Sequence, residues 1–269
     1  MDLAEPKSVF LAGDWHGNRE WAQVSFDTAA RADCPVMLQL GDFGLWPGRE
    51  DAWLDHVEKL AVEFGVEFRW IDGNHEHHSW LERRGTGIVP LRPHVTWAAR
   101  GARWKWSGVR FGALGGAVSI DRFLRKAGVN WWPQEIVTDD DVDRLGDGDL
   151  DVLATHASPV PVGRQLRLPA SIADDVRSNR ERVATAVART RPRLVVHGHH
   201  HFRHSADMGC YRVEGFSRDG AAGAWGVLDL DKVADLVVRT PAAPGRPLLS
   251  PASGASRGHL SRSGESARG

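Results

Sequence analysis

Ser8-Val9-Phe10-Leu11-Ala12 is an apolar run closed by Gly13, and a polar cluster, Asp14-Trp15-His16-Gly17-Asn18, follows at once. The arrangement recurs along the chain. Pro35 to Leu40 ends on Gly41-Asp42, Val66 to Ile71 on Asp72-Gly73-Asn74-His75-Glu76, Val152 to Ala154 on Thr155-His156, and Leu194 to His197 on Gly198-His199-His200-His201. Runs this short, apolar throughout and stopped by glycine or polar residues, read as strands buried on both faces. Between the first two, Asn18 is placed to cap a helix whose apolar positions Trp21, Val24, Phe26, Ala29 and Ala30 share a face. Helical segments follow from Glu50 to Phe64 and from about Asp174 to Arg189. Strands alternating with helices imply right-handed crossovers and a largely parallel sheet, hence an α/β fold.

Short runs broken by Gly and Arg from Val95 to Leu114 predict hairpins with less helix, and Cys210 to Val213, Gly226 to Leu230 and Val233 to Val238 predict further, antiparallel strands. The expected organisation is one domain over residues 1–240. Residues 241–269, rich in Pro, Gly, Ser and Arg with few apolar anchors, are expected to form a disordered tail, whose protein partner is unknown. A body of this size buries enough surface to hold its core without disulfides, and Cys34 and Cys210, few and far apart, are expected as reduced thiols of a cytoplasmic protein. The formal charge of −1 gives no broad attraction for extended nucleic acid or an anionic membrane. No segment is apolar enough to span a bilayer, and the start lacks the features of a signal peptide.

The polar clusters are dense in metal ligands and sit at the carboxyl ends of the expected strands, where open α/β sheets place their ligands. Asp14 and His16, two apart on extended backbone, point to one side and are able to share an ion. In order, the clusters read GDWHGN, GDF, GNHE, THASP and GHHH. This series resembles the calcineurin-like metallophosphoesterase superfamily over about Val9 to His201, and the segments Gly115 to Arg122 and Asn130 to Glu135 resemble those of its small bacterial and phage members. The resemblance implies a sandwich of two β-sheets flanked by helices, with a dinuclear metal site at the strand carboxyl ends. It implies that Asp14, His16 and His201 hold one divalent ion, that Asn74, His156 and His199 hold the other, and that Asp42 bridges them. Manganese is expected, with iron, zinc or nickel as alternatives, since mixed nitrogen and oxygen ligands accept several ions. His75 is implied as the residue that contacts the phosphate and protonates the leaving group. Two divalent ions less two carboxylates leave a net charge of about +2, suited to a phosphate anion.

Protein phosphatases of the superfamily follow the second Gly-Asp with a further Asp and an Arg, whereas here Gly41-Asp42 leads to Phe43-Gly44-Leu45. The sequence therefore points to a phosphodiesterase acting on small nucleotide-like substrates, 2′,3′-cyclic nucleotides among them. A phosphomonoesterase or protein phosphatase is the alternative within the class, and a non-catalytic metal-binding scaffold the alternative outside it. Arg122 and Trp131 are the expected substrate contacts, Arg122 together with Arg125 as candidates to replace the absent phosphate arginine and Trp131 or else Trp132 as the residue that stacks on a base. His77, His78, His197, His200 and His204 match no ligand position and are expected to pack or to be solvated.

Overall fold

The computed structural model describes residues 5–162, 168–231 and 238–241. Along the chain it contains β1 (Ser8–Ala12), α1 (Arg19–Arg31), β2 (Val36–Gln39), α2 (Glu50–Phe64), β3 (Glu67–Trp70), α3 (His78–Glu82), β4 (Ile88–Arg92), β5 (Val95–Ala98), β6 (Arg103–Trp106) and β7 (Val109–Leu114). After two short 3₁₀ turns, Arg122–Leu124 and Pro133–Glu135, come α4 (Asp139–Leu145), β8 (Val152–Thr155), α5 (Ala170–Thr190), β9 (Leu194–His197), β10 (His204–Asp207), β11 (Arg212–Gly215), β12 (Trp225–Asp229) and β13 (Val238–Arg239). The strands form a seven-stranded sheet in the order β13-β12-β1-β2-β3-β5-β4 and a six-stranded sheet in the order β10-β11-β9-β8-β7-β6. Both are mixed. β1, β2, β3 and β5 run parallel in the first and β7, β8, β9 and β11 in the second, with antiparallel strands at the margins.

The apolar runs explain the layering. Alternate side chains of a strand face opposite ways, so a strand with no polar face serves two cores. In β1, Val9 and Leu11 enter the core between the sheets, while Phe10 and Ala12 pack beneath α1 and α2 with Phe26, Trp53 and Leu54. In β9, Leu194 and Val196 enter the same central core, while Val195 packs with Val183, Ala186 and Val187 of α5. The result is helix, sheet, sheet, helix. Half of the twelve tryptophans are buried: Trp15, Trp53, Trp70, Trp97, Trp106 and Trp132.

Local chemistry sets the ends of the helices. The Asn18 side chain accepts from the Trp21 backbone N–H at 3.0 Å and starts α1. Thr138 and Asp141 cap each other at the start of α4. One expected strand needs correction, and two strands have no counterpart among those expected. The strand placed at Cys210 to Val213 is β11, two residues later, and it runs parallel to β9. Its antiparallel partner β10, His-Ser-Ala-Asp, has too little apolar character to be read from sequence. β4 contains Pro90, which hides it from a pattern search; it lies at the sheet edge, where a missing backbone N–H is tolerated. Of the strand expected at Val233 to Val238, Val238 belongs to β13 while residues 233–237 lie outside the described residues, as do residues 242–269, nearly all of the expected tail. Cys34 is buried, Cys210 is exposed, and both are free thiols. No described helix is long and apolar enough to cross a membrane.

Candidate metal centre

The parallel strands of both sheets end at one place, and the loops leaving β1, β2, β3, β8 and β9 interlock there. One ligand atom from each of Asp14, His16, Asp42 and His201 lies within 4.8 Å of the others. His201 Nε2 is 3.0 Å from Asp14 Oδ2, and His16 Nε2 is 3.5 Å from Asp42 Oδ2. On the other side of Asp42, His156 Nε2 stands 3.4 Å from Asp42 Oδ1 and 3.2 Å from Asn74 Oδ1. The His199 ring lies 5.1 Å from that of His156, centroid to centroid. All seven expected ligand residues are thus gathered around one carboxylate.

The backbone is bent to achieve this. Among the described residues, seven non-glycines have positive φ, and four of them are His16, Asp42, His199 and His201. Such conformations cost of order 1–3 kcal/mol each and persist where the surroundings impose them, commonly at functional sites. Glycine is required where the loops press together. A Cβ on Gly41, whose φ is +94°, would stand 2.4 Å from His156 Nδ1, and one on Gly198 would stand 2.2 Å from Asp14 Oδ1.

Several groups orient the ligands. His156 Nδ1 donates to the Leu40 carbonyl at 2.7 Å, which leaves Nε2 facing the centre. Asp42 Oδ1 accepts from the backbone N–H of Asn74 and of His75, both at 3.0 Å. The Asn74 amide donates to Ser119 Oγ at 3.0 Å, and that hydroxyl donates to Glu135 at 2.6 Å, so Asn74 presents its oxygen to the centre. Three orienting residues are absent from the sequence-based expectations. Asp219 accepts from His16 Nδ1 at 3.2 Å and from the Asn18 amide at 2.8 Å, while its own backbone N–H donates to the Asp14 carbonyl at 2.7 Å. Glu76, fully buried, accepts from the backbone N–H groups of Phe43 at 2.6 Å and Gly73 at 2.5 Å, tying the loop after β2 to the loop after β3. Glu135 is the third. Glu135 closes the Asn130 to Glu135 segment of the resemblance but the sequence assigns it no role, Asp219 lies far from every motif, and Glu76 belongs to the third strand-end cluster.

The electrostatics fit a cation. Burial opposes charge on His16 and His156, yet the neighbouring carboxylates, Asp42 foremost, outweigh it and push the imidazoles up to about 9 and about 10. Burial pushes Glu76 up to about 8, and the Asp42 charge adds to the effect. A cluster that binds protons this tightly has a negative field, and its mix of imidazole, carboxylate and amide donors is the set a divalent transition ion accepts. His75 lies just outside the ligands, with Nε2 3.9 Å from Asp42 Oδ2. Burial holds it below its usual pKa, with the Arg125 and His16 charges acting in the same sense against Asp42.

A cavity of about 690 Å³ opens from Asp42, Asn74, His75, His199 and His201. Its far walls include Val160, Val176 and Phe202. Neither expected substrate contact lines it. Arg122 is turned onto α5, pairing with Asp175 at 2.6 Å and donating to the Ser171 carbonyl at 2.9 Å. Trp131 is half-buried beside Glu135. Of the remaining histidines, His77 pairs with Glu50 and packs on Trp132, His78 is buried, and His197 bonds to His204 at 3.1 Å.

The calcineurin-like phosphoesterase family model matches residues 7–203, most of the chain and every strand-end loop described above. The chain belongs to the calcineurin-like phosphoesterases. Members are dinuclear-metal hydrolases of phosphate esters, and this calcineurin-like enzyme is one of them. Solved structures share its fold at low identity. A protein of Thermus thermophilus is 12% identical with a TM-score of 0.56, the alignment covering 85% of this chain and 96% of that one. A dimetal phosphatase from Danio rerio is 12% identical with a TM-score of 0.50, covering 84% and 93%. No curated protein matches the chain.

Proposed function

We propose that this phosphoesterase is a manganese-dependent phosphodiesterase of the cytoplasm, acting on small nucleotide-like substrates that include 2′,3′-cyclic nucleotides. In this reading Asp14, His16 and His201 would hold one ion, Asn74, His156 and His199 would hold the second, and Asp42 would be shared between them. The observation that carries it is the convergence of ligands from five separate loops on the Asp42 carboxylate, with one small cavity beside them. When bound, the two ions supply an activated water and positive charge for the phosphate.

The chain's own groups perform the rest. Two backbone N–H groups hold Asp42 Oδ1 and so orient its carboxylate. His75 faces the cavity without belonging to the tight ligand cluster, and its proposed role is to carry a proton to the departing ester oxygen. Approach of an anionic phosphate favours the protonated imidazole, opposing the effect of burial and of Arg125.

Substrate size and charge support a small diester. The cavity volume lies within the range of small-molecule sites. In the segment after Asp42, where protein phosphatases continue with a further Asp and an Arg, Phe43 and Leu45 are buried in the core and offer nothing to a phosphate. The test is kcat/KM under one manganese condition for cyclic nucleotides, linear dinucleotides, nucleoside monophosphates and a phosphopeptide. Diesters are expected to lead; a tenfold lead by monophosphates or the phosphopeptide, worth about 1.4 kcal/mol, would reverse the assignment.

A further inference from the structure

Between β7 and the second 3₁₀ turn, the chain carries an ion pair that lies outside the strand-end loops. Arg125 Nε donates to Asp121 Oδ1 at 2.8 Å and Nη2 to Oδ2 at 2.7 Å, a two-pronged contact that fixes the plane of the guanidinium. Nη2 also stands 3.4 Å from His75 Nε2, which is itself 3.9 Å from Asp42 Oδ2. Asp121, His75 and Asp42 all line the cavity, and Arg125, which does not line it, contacts the first two. The Arg125 side chain retains 23% of its exposure.

We propose that Arg125, held by Asp121, is the residue that orients the substrate phosphate in this site, and that the pairing tunes the site to phosphodiesters. The inference rests on the reading of the centre as a phosphoester site. Three neighbouring arginines have other partners, although Arg177 and Arg180 also line the cavity. Arg122 is bound to α5, Arg180 donates to the carbonyls of Ser158, Pro159 and Val162, and Arg177, 63% exposed, pairs with Asp174. Arg125 alone of these four has an N–H beside His75, and a phosphate oxygen between the ligand cluster and His75 would accept it in place of the imidazole nitrogen.

Asp121 decides what kind of phosphate benefits. Its carboxylate cancels the guanidinium charge, so the pair offers directed N–H donors with little net positive charge. A diester, with one negative charge, needs direction more than compensation. The second charge of a monoester is favoured only by uncompensated positive charge, which this pair withholds.

The test uses Arg125→Ala, Arg125→Lys and Asp121→Asn in the full-length protein loaded with manganese. Calorimetry with inorganic phosphate, the manganese content, melting temperature, and kcat/KM for bis(4-nitrophenyl) phosphate and 4-nitrophenyl phosphate are measured for each. Arg125→Ala is expected to weaken phosphate binding by about 10- to 100-fold, the value of a charge-assisted hydrogen bond, with manganese content unchanged. Arg125→Lys is expected to recover little, because an ammonium cannot keep both the paired contact and the third donor in one plane. Asp121→Asn leaves the guanidinium uncompensated and is expected to raise the monoester-to-diester ratio of kcat/KM. Wild-type phosphate affinity in Arg125→Ala would overturn the proposal, as would parallel loss of manganese or of folding in both Arg125 variants, or an equal drop for both esters in Asp121→Asn. A wild-type protein that hydrolyses neither ester, yet binds phosphate through Arg125, would instead refute the function and leave the phosphate site standing.

Discussion

Replacing Asp219 by alanine removes a carboxylate that touches no expected substrate atom, yet it should weaken the metal centre. Asp219 holds the His16 ring through Nδ1 at 3.2 Å and is itself fixed by the Asn18 amide and by its own N–H on the Asp14 carbonyl. With the carboxylate gone, His16 loses the partner that sets its tautomer and aims Nε2 at the centre. Both side chains are largely buried, at 24% and 15% exposure, so solvent replaces the bond poorly. A charge-assisted hydrogen bond of this kind contributes about 1.5–3 kcal/mol, which corresponds to roughly 10- to 100-fold in ion affinity. That agrees with the roughly 10- to 100-fold typical of groups that orient metal-binding histidines. Calorimetric titration of the metal-free protein with manganese measures the effect, and Asp219→Asn, which keeps an acceptor oxygen without the charge, should fall between wild type and Asp219→Ala. Wild-type manganese affinity in Asp219→Ala would refute the orienting role.

Three further outcomes are expected. His75→Ala should slow alkyl esters about 10²- to 10⁴-fold while sparing nitrophenyl esters, whose leaving groups need little protonation; equal losses in a leaving-group series would remove the acid role. Ser119→Ala frees the Asn74 amide to rotate and should lower manganese affinity about tenfold at one class of site only, so a titration in which both classes weaken alike would contradict it. Burial pushes the Glu135 carboxyl up to about 7 despite its bonds to Ser119, so the fold favours the protonated acid. The stability this contributes is fully present below the ordinary value near 4.5 and is lost as pH rises through about 7, a difference of up to about 3 kcal/mol. Glu135→Gln mimics the protonated form, and melting curves from pH 5 to 8 should fall for wild type and stay flatter for the variant; equal slopes would exclude Glu135 as the source.

The residues legible in the sequence are those whose spacing repeats a local rule. Strands such as β1 and β9 show as apolar runs because they serve two cores, and Asp14, His16, Asp42, Asn74, His156, His199 and His201 stand out because each follows such a run. What escapes depends on contacts made across the fold. β10 is held by pairing with β11 rather than by its own hydrophobicity, and Asp219 reaches His16 across 203 positions of sequence. Arg122 and Arg125 are chemically alike and close in sequence, so only the packing of the 3₁₀ turn against α5 separates them.

The most direct measurement is metal stoichiometry and turnover compared between wild type and Asp42→Asn, before and after exhaustive chelation. If Asp42 bridges a dinuclear centre, wild type binds about two manganese ions per chain, loses hydrolysis on chelation and regains it with manganese. Asp42→Asn should lose tight binding of both ions together, and with it turnover. Full activity in the chelated wild type, or normal turnover in Asp42→Asn, would contradict the account.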